Sequence, residues 1–200
     1  MKDKIYRLIG LTGPTGAGKS SVSKVFSESG FAVVNADEVA HNALLDTECI
    51  RSLVSAFGKE ILCDDNSINR KALAKAAFAT KENTMTLNSI THPVIIRLSE
   101  DKFTNLADAG YKNIIFDAPT LFEAGMDKDC DLIISVICPL DERIKRIIKR
   151  DNITRDEALA RINAQKDNTF YTERSDFVIE NNGDIETLTK RTEEIIKEII

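Results

Sequence analysis

The sequence predicts an α/β fold, with helices on both faces of a five-stranded parallel sheet. The first observation is a set of five short runs rich in apolar and β-branched residues, which are typical of buried strands. They cover residues 6–11, 31–34, 113–116, 132–137 and 177–179. The second observation is that helical periods separate these runs, as the crossovers of a parallel sheet require. The third is their uneven spacing, because no strand pattern occurs between residues 37 and 112.

The first helix is predicted to lie between the first two strands. Val22, Val25 and Phe26 recur at helical spacing and would form its buried face. Gly30 stands where the residue after a helix often adopts a left-handed conformation, so the helix is expected to end there. The second strand would then begin at residue 31.

The stretch from about 38 to 110 is predicted to be a helical insertion between the second and third strands. One helix would end at Gly58, after apolar residues at helical spacing: Ile50, Leu53, Val54 and Phe57. Asn69 has a suitable capping side chain for a helix that runs toward residue 78. Pro93 is expected to be the first residue of a further helix. Such an insertion usually covers the ligand cleft at the carboxyl ends of parallel strands.

The C-terminal third is predicted to contain two helices with recognisable starts. Thr154 and Glu157 have the spacing of a capping box. Asp184 is expected to cap the last helix, whose buried side would carry Leu188, Ile195 and Ile199. One domain then has a core of about 1–37, 111–142 and 175–200.

Composition restricts the possible classes of protein. The 200 residues include 27 basic and 32 acidic side chains, and the net charge of −5 argues against a general nucleic-acid-binding surface. No apolar run reaches the roughly 18 residues of a membrane span, and residues 1–7 lack the apolar core of a signal peptide. Four isolated cysteines without C-x-x-C spacing fit a reducing cytoplasm, and with two histidines a structural zinc site is not expected.

The strongest chemical signal is the segment Gly-Pro-Thr-Gly-Ala-Gly-Lys-Ser at residues 13–20, here called the phosphate loop. It matches the pattern G-x-x-x-x-G-K-[ST] in full and lies between a predicted strand and a predicted helix. Glycines let backbone N–H groups turn toward phosphate oxygens, while Lys19 reaches the β- and γ-phosphates and Ser20 ligates Mg²⁺. The alternative is a glycine-rich turn without a ligand, against which the full motif in this context argues. The expected triphosphate site comprises Gly13, Gly16, Ala17, Gly18, Lys19 and Ser20.

Two acidic residues follow predicted strands. Asp117 ends the third strand, where a carboxylate is expected to lie near the phosphate loop and to hold Mg²⁺ directly or through water. Asp37 follows the second strand, whose end is expected to neighbour the same loop. Asp37 could accept a proton from an attacking hydroxyl, or it could be the N-cap of the next helix. The two interpretations of Asp37 are equally supported by its position.

Residues 143–174, here called the lid segment, are predicted to close over the nucleotide. Between residues 143 and 166 there are eight basic and three acidic side chains, and five of the basic ones are arginine. A solvated helix face is the alternative. The contrast with an acidic chain and the preference of arginine for phosphate oxygens favour a lid that supplies charge to the transition state.

Together these motifs resemble the dephospho-CoA kinase family over nearly the whole chain. Many kinases share the phosphate loop, and more specific similarity lies in segments 35–41, 91–93 and 117–123. The lid residues Arg146 to Asp151, Arg161, Ile162 and Gln165, and the segment 175–183, are also similar to that family. Two positions depart from its pattern: Asn35 replaces an acid of a D-A-D segment, and Thr120 replaces a leucine of a P-L-L-F-E segment.

The resemblance implies the three-layer α/β/α fold of P-loop kinases and a specific reaction. ATP, with Mg²⁺ as cofactor, would phosphorylate the 3′-hydroxyl of the ribose of dephospho-CoA and give ADP and CoA. Lys19 and Arg150 would act on the transferred group, Asp37 would be the base, and ATP would also contact Ser21 and Arg146. The insertion would be the acceptor-binding part of the chain. Contacts with the acceptor would come from six residues within and outside it: Asp37, His92, Leu121, Phe122, Glu123 and Arg161.

Three other functions remain to be weighed. Another P-loop kinase could act on a nucleoside, a nucleotide or a small metabolite, and competition between substrates separates it from the first interpretation. A GTP-dependent switch should carry an N-K-x-D motif, which the sequence lacks. A non-catalytic nucleotide-binding module is disfavoured by the intact set of Lys19, Ser20, Asp37 and Asp117. Oligomeric state has no signal in the sequence.

Overall fold

The computed structural model describes residues 5–200 and contains a five-stranded sheet with the order β2-β3-β1-β4-β5. The strands are β1 (Arg7–Thr12), β2 (Ala32–Asn35), β3 (Asn113–Asp117), β4 (Leu132–Ile137) and β5 (Phe177–Glu180). The pairs β1–β3, β1–β4 and β4–β5 are parallel. All five predicted strands are confirmed, with bounds that move by at most one residue.

Helices connect the strands, as predicted. They are α1 (Lys19–Glu28), α2 (Ala36–Ala43), α3 (Thr47–Phe57), α4 (Arg70–Ala77), α5 (Lys81–Asp108), α6 (Leu140–Asp151), α7 (Arg155–Asn163), α8 (Asn168–Thr172) and α9 (Ile185–Ile199). Short 3₁₀ helices cover Lys59–Ile61 and Met126–Asp129. Across residues 5–200, every helix is too short or too polar to cross a membrane.

The sheet is the middle of three layers. Ile9 and Leu11 of β1 belong to a buried apolar core with residues of α1 and α9, which therefore cover one face. The alternate residues of a strand face the opposite side. There Gly10 lies against Leu121, and the Ser135 hydroxyl lies 2.5 Å from that of Ser175, just after α8. The segment after β3 and the α8 region therefore cover the second face, which completes an α/β/α architecture.

Local sequence signals set most helix ends. The three apolar residues predicted to face inward on α1 are buried, and Gly30 has a φ of 87° just after that helix. The side chains of Asn69, Thr154 and Asp184 cap α4, α7 and α9 by accepting backbone N–H groups. Each cap satisfies donors that the first helical turn leaves without partners, so these predictions are confirmed.

The chain divides into two compact units, one of which comprises residues 35–105. Its core contains Cys49, Leu53, Ile61, Leu73 and Ala77. The isolated bridge between Leu62 and Ile68 is the only strand-like pairing that the structure describes there, so the unit is helical. The other unit contains residues 5–34 and 106–200, and with them the phosphate loop and the lid segment.

Two expectations about the fold are wrong. Pro93 does not begin a helix, because α5 starts at Lys81 and runs through the proline to Asp108. Leu87, Ile90 and Val94 pack against the core of their unit, and this packing offsets the hydrogen bond that a proline removes. β2 is not the strand next to β1, which leads into the phosphate loop, because β3 lies between them.

Candidate active site

The phosphate loop joins β1 to α1, and two of its glycines are required by its shape. Gly13 and Gly18 have φ values of 136° and 105°, which side chains rarely allow. A Cβ at Gly13 would lie 2.1 Å from the Val136 carbonyl oxygen, and one at Gly18 would lie 2.2 Å from Asn181 Nδ2. Any larger residue at either position would force the loop away from its neighbours.

The loop ends at a helix N-terminus that suits an anion. Helix α1 begins at Lys19, with no side-chain cap on Gly18 and no acidic residue in its first turn. The positive end of its dipole is therefore not compensated by its own side chains. Lys19 Nζ donates to the Gly13 carbonyl oxygen at 2.9 Å, so the ammonium group lies back across the loop.

Asp117 lies beside the start of the phosphate loop, as the sequence predicts. It is opposite Leu11 in the β1–β3 register and is only 7% exposed. Its Oδ2 accepts a hydrogen bond of 2.6 Å from the Ser23 hydroxyl on α1. A buried carboxylate and the Ser20 hydroxyl are oxygen donors of the kind that Mg²⁺ prefers, so these residues fit that ion.

Among the side chains by which the lid segment contacts the phosphate loop are two arginines predicted to bind ATP, Arg146 and Arg150 of α6. Arg146 Nη1 lies 3.3 Å from the Ala17 carbonyl oxygen, and Arg150 Nη2 lies 3.5 Å from Thr15 Oγ1. Helices α6 and α7 share a small apolar core, which contains Ile144, Ile147, Ala158 and Ile162. The arginines are four residues apart and therefore project from one face of α6.

Asp151 links Arg150 to Arg161 within the lid segment. Arg150 donates to both carboxylate oxygens, at 2.7 and 2.9 Å, and Arg161 donates to Oδ2. The pKa of Asp151 is held below its ordinary value by these hydrogen bonds, and the hydrogen bonding from Arg150 has the largest effect. Both arginine side chains are more than half exposed, so the pairs contribute little to stability. Arg161 thus lies in the lid's own ion-pair network.

The predicted acceptor residues after β3 have three different environments. Leu121 is fully buried, and its Cδ2 would be 2.6 Å from a Cβ at Gly10, so its position supports packing. Phe122 is half-buried in a ring cluster with Phe170 and Tyr171, and Glu123 is exposed. Burial, and secondarily Glu123, raise the pKa of Tyr171 to about 12.

Asp37 and His92 belong to the unit formed by residues 35–105. Asp37 lies in the first turn of α2 and is exposed. The N-cap of α2 is Asn35, whose Oδ1 accepts from the Glu38 backbone N–H at 3.1 Å. The interpretation of Asp37 as the N-cap is therefore wrong. His92 is half-buried within α5, so it does not shape the start of that helix.

Three side chains around the phosphate loop have no assigned role in the sequence analysis. Asn181, 5% exposed, donates to the Ala17 carbonyl oxygen at 2.7 Å and accepts from Arg146 at 3.1 Å. Its place just after β5, at the carboxyl edge of the sheet, is a signal that could have identified it. Arg143 and Gln165 both contact Thr15, and no local pattern distinguishes Arg143 from the other basic residues of the lid segment.

Comparison with known proteins identifies the family. The family model described as dephospho-CoA kinase matches residues 7–187. A dephospho-CoA kinase from Corynebacterium glutamicum is 37% identical over 193 residues, which cover 96% of both chains. One from Fusobacterium nucleatum is 40% identical over 192 residues, covering 96% of this chain and 98% of the other.

A solved structure agrees with these sequence matches. The Thermus thermophilus protein TT1252 superimposes with a TM-score of 0.85 at 29% identity, covering 98% of this chain and 100% of that one. The likeness extends over both the sheet and the helices, since nearly all residues of the two chains are included. The chain belongs to the dephospho-CoA kinase family.

Proposed function

We propose that the protein transfers the γ-phosphoryl group of ATP to the 3′-hydroxyl of the ribose of dephospho-CoA, giving ADP and CoA. The observation that carries the proposal is a complete phosphate loop, contacted by lid arginines, in a chain of the dephospho-CoA kinase family. A loop of this kind orients a triphosphate, and the arginines supply charge to the transferred group. The family membership supports the acceptor.

The triphosphate would lie along the phosphate loop. Backbone N–H groups from Gly16 to Ser21 would bind its oxygens, and Lys19 would move from Gly13 to the β- and γ-phosphates. Ser20 and Asp117 would hold Mg²⁺, whose charge would offset that of the phosphates. The Ser23 hydroxyl orients Asp117 for that role.

Lid residues would complete the site around the transferred group. Arg150 lies 3.5 Å from Thr15 Oγ1 and has an exposed guanidinium, so it can turn from Asp151 to a phosphoryl oxygen. Arg146, held by Asn181, would contact the nucleotide at the other end of the loop. The closed lid would also keep water from competing with the acceptor hydroxyl.

We propose the acceptor contacts that the resemblance to the family implies. Asp37 would orient the 3′-hydroxyl and accept its proton. His92, Phe122, Glu123 and Arg161 remain proposed contacts, whereas the burial of Leu121 supports packing beneath them. We further propose that the protein acts in the cytoplasm on these small molecules, without nucleic acid or membrane partners, since its net charge of −5 and the absence of C-x-x-C spacing among its four cysteines suit that setting.

The acceptor assignment is tested by ADP formation with different acceptors. We expect dephospho-CoA to be phosphorylated far more efficiently than adenosine or AMP, because remote contacts with the acceptor help to orient the reacting hydroxyl. Truncated acceptors should therefore lose kcat as well as affinity. A reaction without acceptor measures ATP hydrolysis, and mass spectrometry with NMR identifies the phosphorylated position. Equal efficiency with adenosine, or a product phosphorylated elsewhere, would favour a nucleoside or nucleotide kinase.

Replacing Arg150 with alanine is expected to lower kcat by about 10²–10³-fold and to change the affinity for ATP much less. The guanidinium is paired with Asp151 in this structure and would contribute most when charge develops on the transferred group. Single-turnover rates and ATP titrations separate the two effects.

The control for Arg150 is Lys149→Ala, which removes a positive charge from an exposed neighbour on α6. It should leave both kcat and ATP affinity close to those of the unmodified protein. An Arg150→Ala protein in which only ATP affinity falls would identify Arg150 as a ground-state contact, contrary to its proposed role.

A further inference from the structure

Arg143 is a buried cation at the phosphate loop. It lies near the start of α6 and is only 4% exposed, unlike the exposed Arg150 and Arg161 of the same segment. The backbone of α6 at Arg143 also packs on the loop, because a Cβ at Gly16 would lie 3.1 Å from the Arg143 carbonyl oxygen. The guanidinium is therefore shielded from water beside residues that cradle phosphate.

Arg143 and Gln165 bind the two successive peptide groups that flank the Thr15 Cα atom. Arg143 Nε donates to the Thr15 carbonyl oxygen at 2.9 Å. Gln165 Oε1 accepts from the Thr15 backbone N–H at 2.9 Å and lies 3.4 Å from Arg143 Nη2. The peptide groups before and after the Thr15 Cα atom are thus each bound to a side chain of the lid segment, which fixes the orientation of the loop at Thr15.

The partners of Arg143 are neutral. A carbonyl oxygen and an amide oxygen accept its hydrogen bonds, and none of the carboxylates within residues 5–200 forms an ion pair with it. Burial lowers the pKa of this guanidinium, although an arginine remains protonated at neutral pH. Burying an unpaired cation is unfavourable, and a neutral donor could bind the Thr15 carbonyl oxygen without that cost.

We propose that Arg143, oriented by Gln165, is a positioning residue that both holds the Thr15 carbonyl group and supplies uncompensated positive charge to the phosphate groups of the nucleotide. Its electrostatic effect is strong because the surroundings are poor in water. Arg143 should therefore strengthen binding more for nucleotides with more phosphate groups, because more negative charge then lies along the loop. The proposal rests on the use of ATP proposed above, and it is independent of the acceptor.

The test compares the affinities for ADP and AMP by calorimetry without acceptor, so a wrong acceptor assignment would not affect it. In Arg143→Gln the side chain can still donate to Thr15 but has no charge, and we expect ADP binding to weaken about 10-fold, as for the loss of a charged hydrogen-bonding group. AMP binding should change less. Arg143→Lys restores the charge and should recover most of the ADP affinity.

A second variant tests the charge without removing the arginine. Gln165→Glu keeps the size and the acceptor oxygens of Gln165 but adds a carboxylate beside the guanidinium. It should also weaken ADP binding more than AMP binding. The control Arg155→Gln removes a charge from an exposed residue of α7 and should leave both affinities unchanged. Thermal unfolding of each variant verifies that it is folded.

The possible results separate charge from simple packing. Equal losses for ADP and AMP would show that Arg143 acts only on the shape of the site, which overturns the electrostatic part of the proposal. The same conclusion follows if Arg143→Lys binds ADP as weakly as Arg143→Gln does. Unchanged ADP affinity in Gln165→Glu would contradict the proposal even if the Arg143 variants failed to fold.

Discussion

Replacing Lys19 with alanine is expected to lower kcat by about 10³-fold, the largest single effect we expect in the phosphate loop. The ammonium group already lies across the loop, 2.9 Å from the Gly13 carbonyl oxygen. From there it can reach the β- and γ-phosphates, where negative charge accumulates during transfer. Alanine removes that positive charge, and no backbone group of the loop can supply one in its place.

The fold should tolerate the change. The Gly13 hydrogen bond contributes about 1 kcal/mol, and the left-handed glycines and the packing of α1 do not depend on the ammonium group. Circular dichroism and thermal unfolding measure this directly, beside steady-state ADP release.

A matched control exists on the same helix. Lys24→Ala removes an exposed ammonium group whose ion pair with Glu28 spans 3.6 Å, and it should leave kcat unchanged. Near-normal turnover in a folded Lys19→Ala protein would contradict the assignment of residues 13–20 as the triphosphate site. A loss of turnover shared by both variants would show that the charge of α1, rather than the reach of Lys19, is responsible.

Local signals in the sequence were sufficient to predict most elements of the fold. The strands are short runs such as 132–137, whose side chains fill a core on one face and pack against other segments on the opposite face. Capping residues such as Asn69 and Asp184 accept hydrogen bonds from N–H groups three residues away. Because these interactions lie within a few residues, the sequence pattern contains them almost completely.

The order of the strands was not predictable in the same way. It depends on hydrogen bonds between residues that are far apart in sequence, such as those that pair Leu11 with Asp117. Our expectation that β2 ends beside the phosphate loop failed for this reason, because β3 takes that place. The expectation that Pro93 begins a helix was wrong for a related reason. The packing of Ile90 and Val94 keeps α5 continuous, and the partners in that packing are distant in sequence.

The same distinction applies to the site. The phosphate loop is a contiguous motif, and Asp117 is adjacent to it through the register of two neighbouring strands. Asn181 and Gln165 contact the loop from 164 and 150 residues away. Amide side chains at such distances have no spacing that marks them, although a position at the carboxyl end of a strand increases the chance of a role.

The lid segment and the phosphate loop are joined more closely than the charge pattern suggested. The excess of basic residues predicted that side chains of the lid segment contact the phosphates of the nucleotide. The structure adds three hydrogen-bonding side chains of the lid segment that hold the loop itself, from Arg143, Arg146 and Gln165. A change in the position of the lid segment would therefore also change the orientation of the loop peptides.

The replacement of Asp37 by asparagine is expected to slow phosphoryl transfer by about 10²–10⁴-fold, the range typical of losing a positioned acid–base group. Asparagine has the size of aspartate but cannot take the proton of the 3′-hydroxyl. The start of α2 should not be affected, because Asn35 and not Asp37 is its N-cap. ATP affinity should also be retained, since no phosphate contact is proposed for this residue.

The adjacent Glu38 provides the control for Asp37. Glu38→Gln removes a carboxylate from the same helical turn, where it pairs with Lys102 at 2.9 Å, and it should leave kcat unchanged because this exposed pair contributes little. Single-turnover rates with saturating ATP and dephospho-CoA measure transfer, and an ATP titration measures binding. Unaltered turnover in Asp37→Asn would exclude Asp37 as the base.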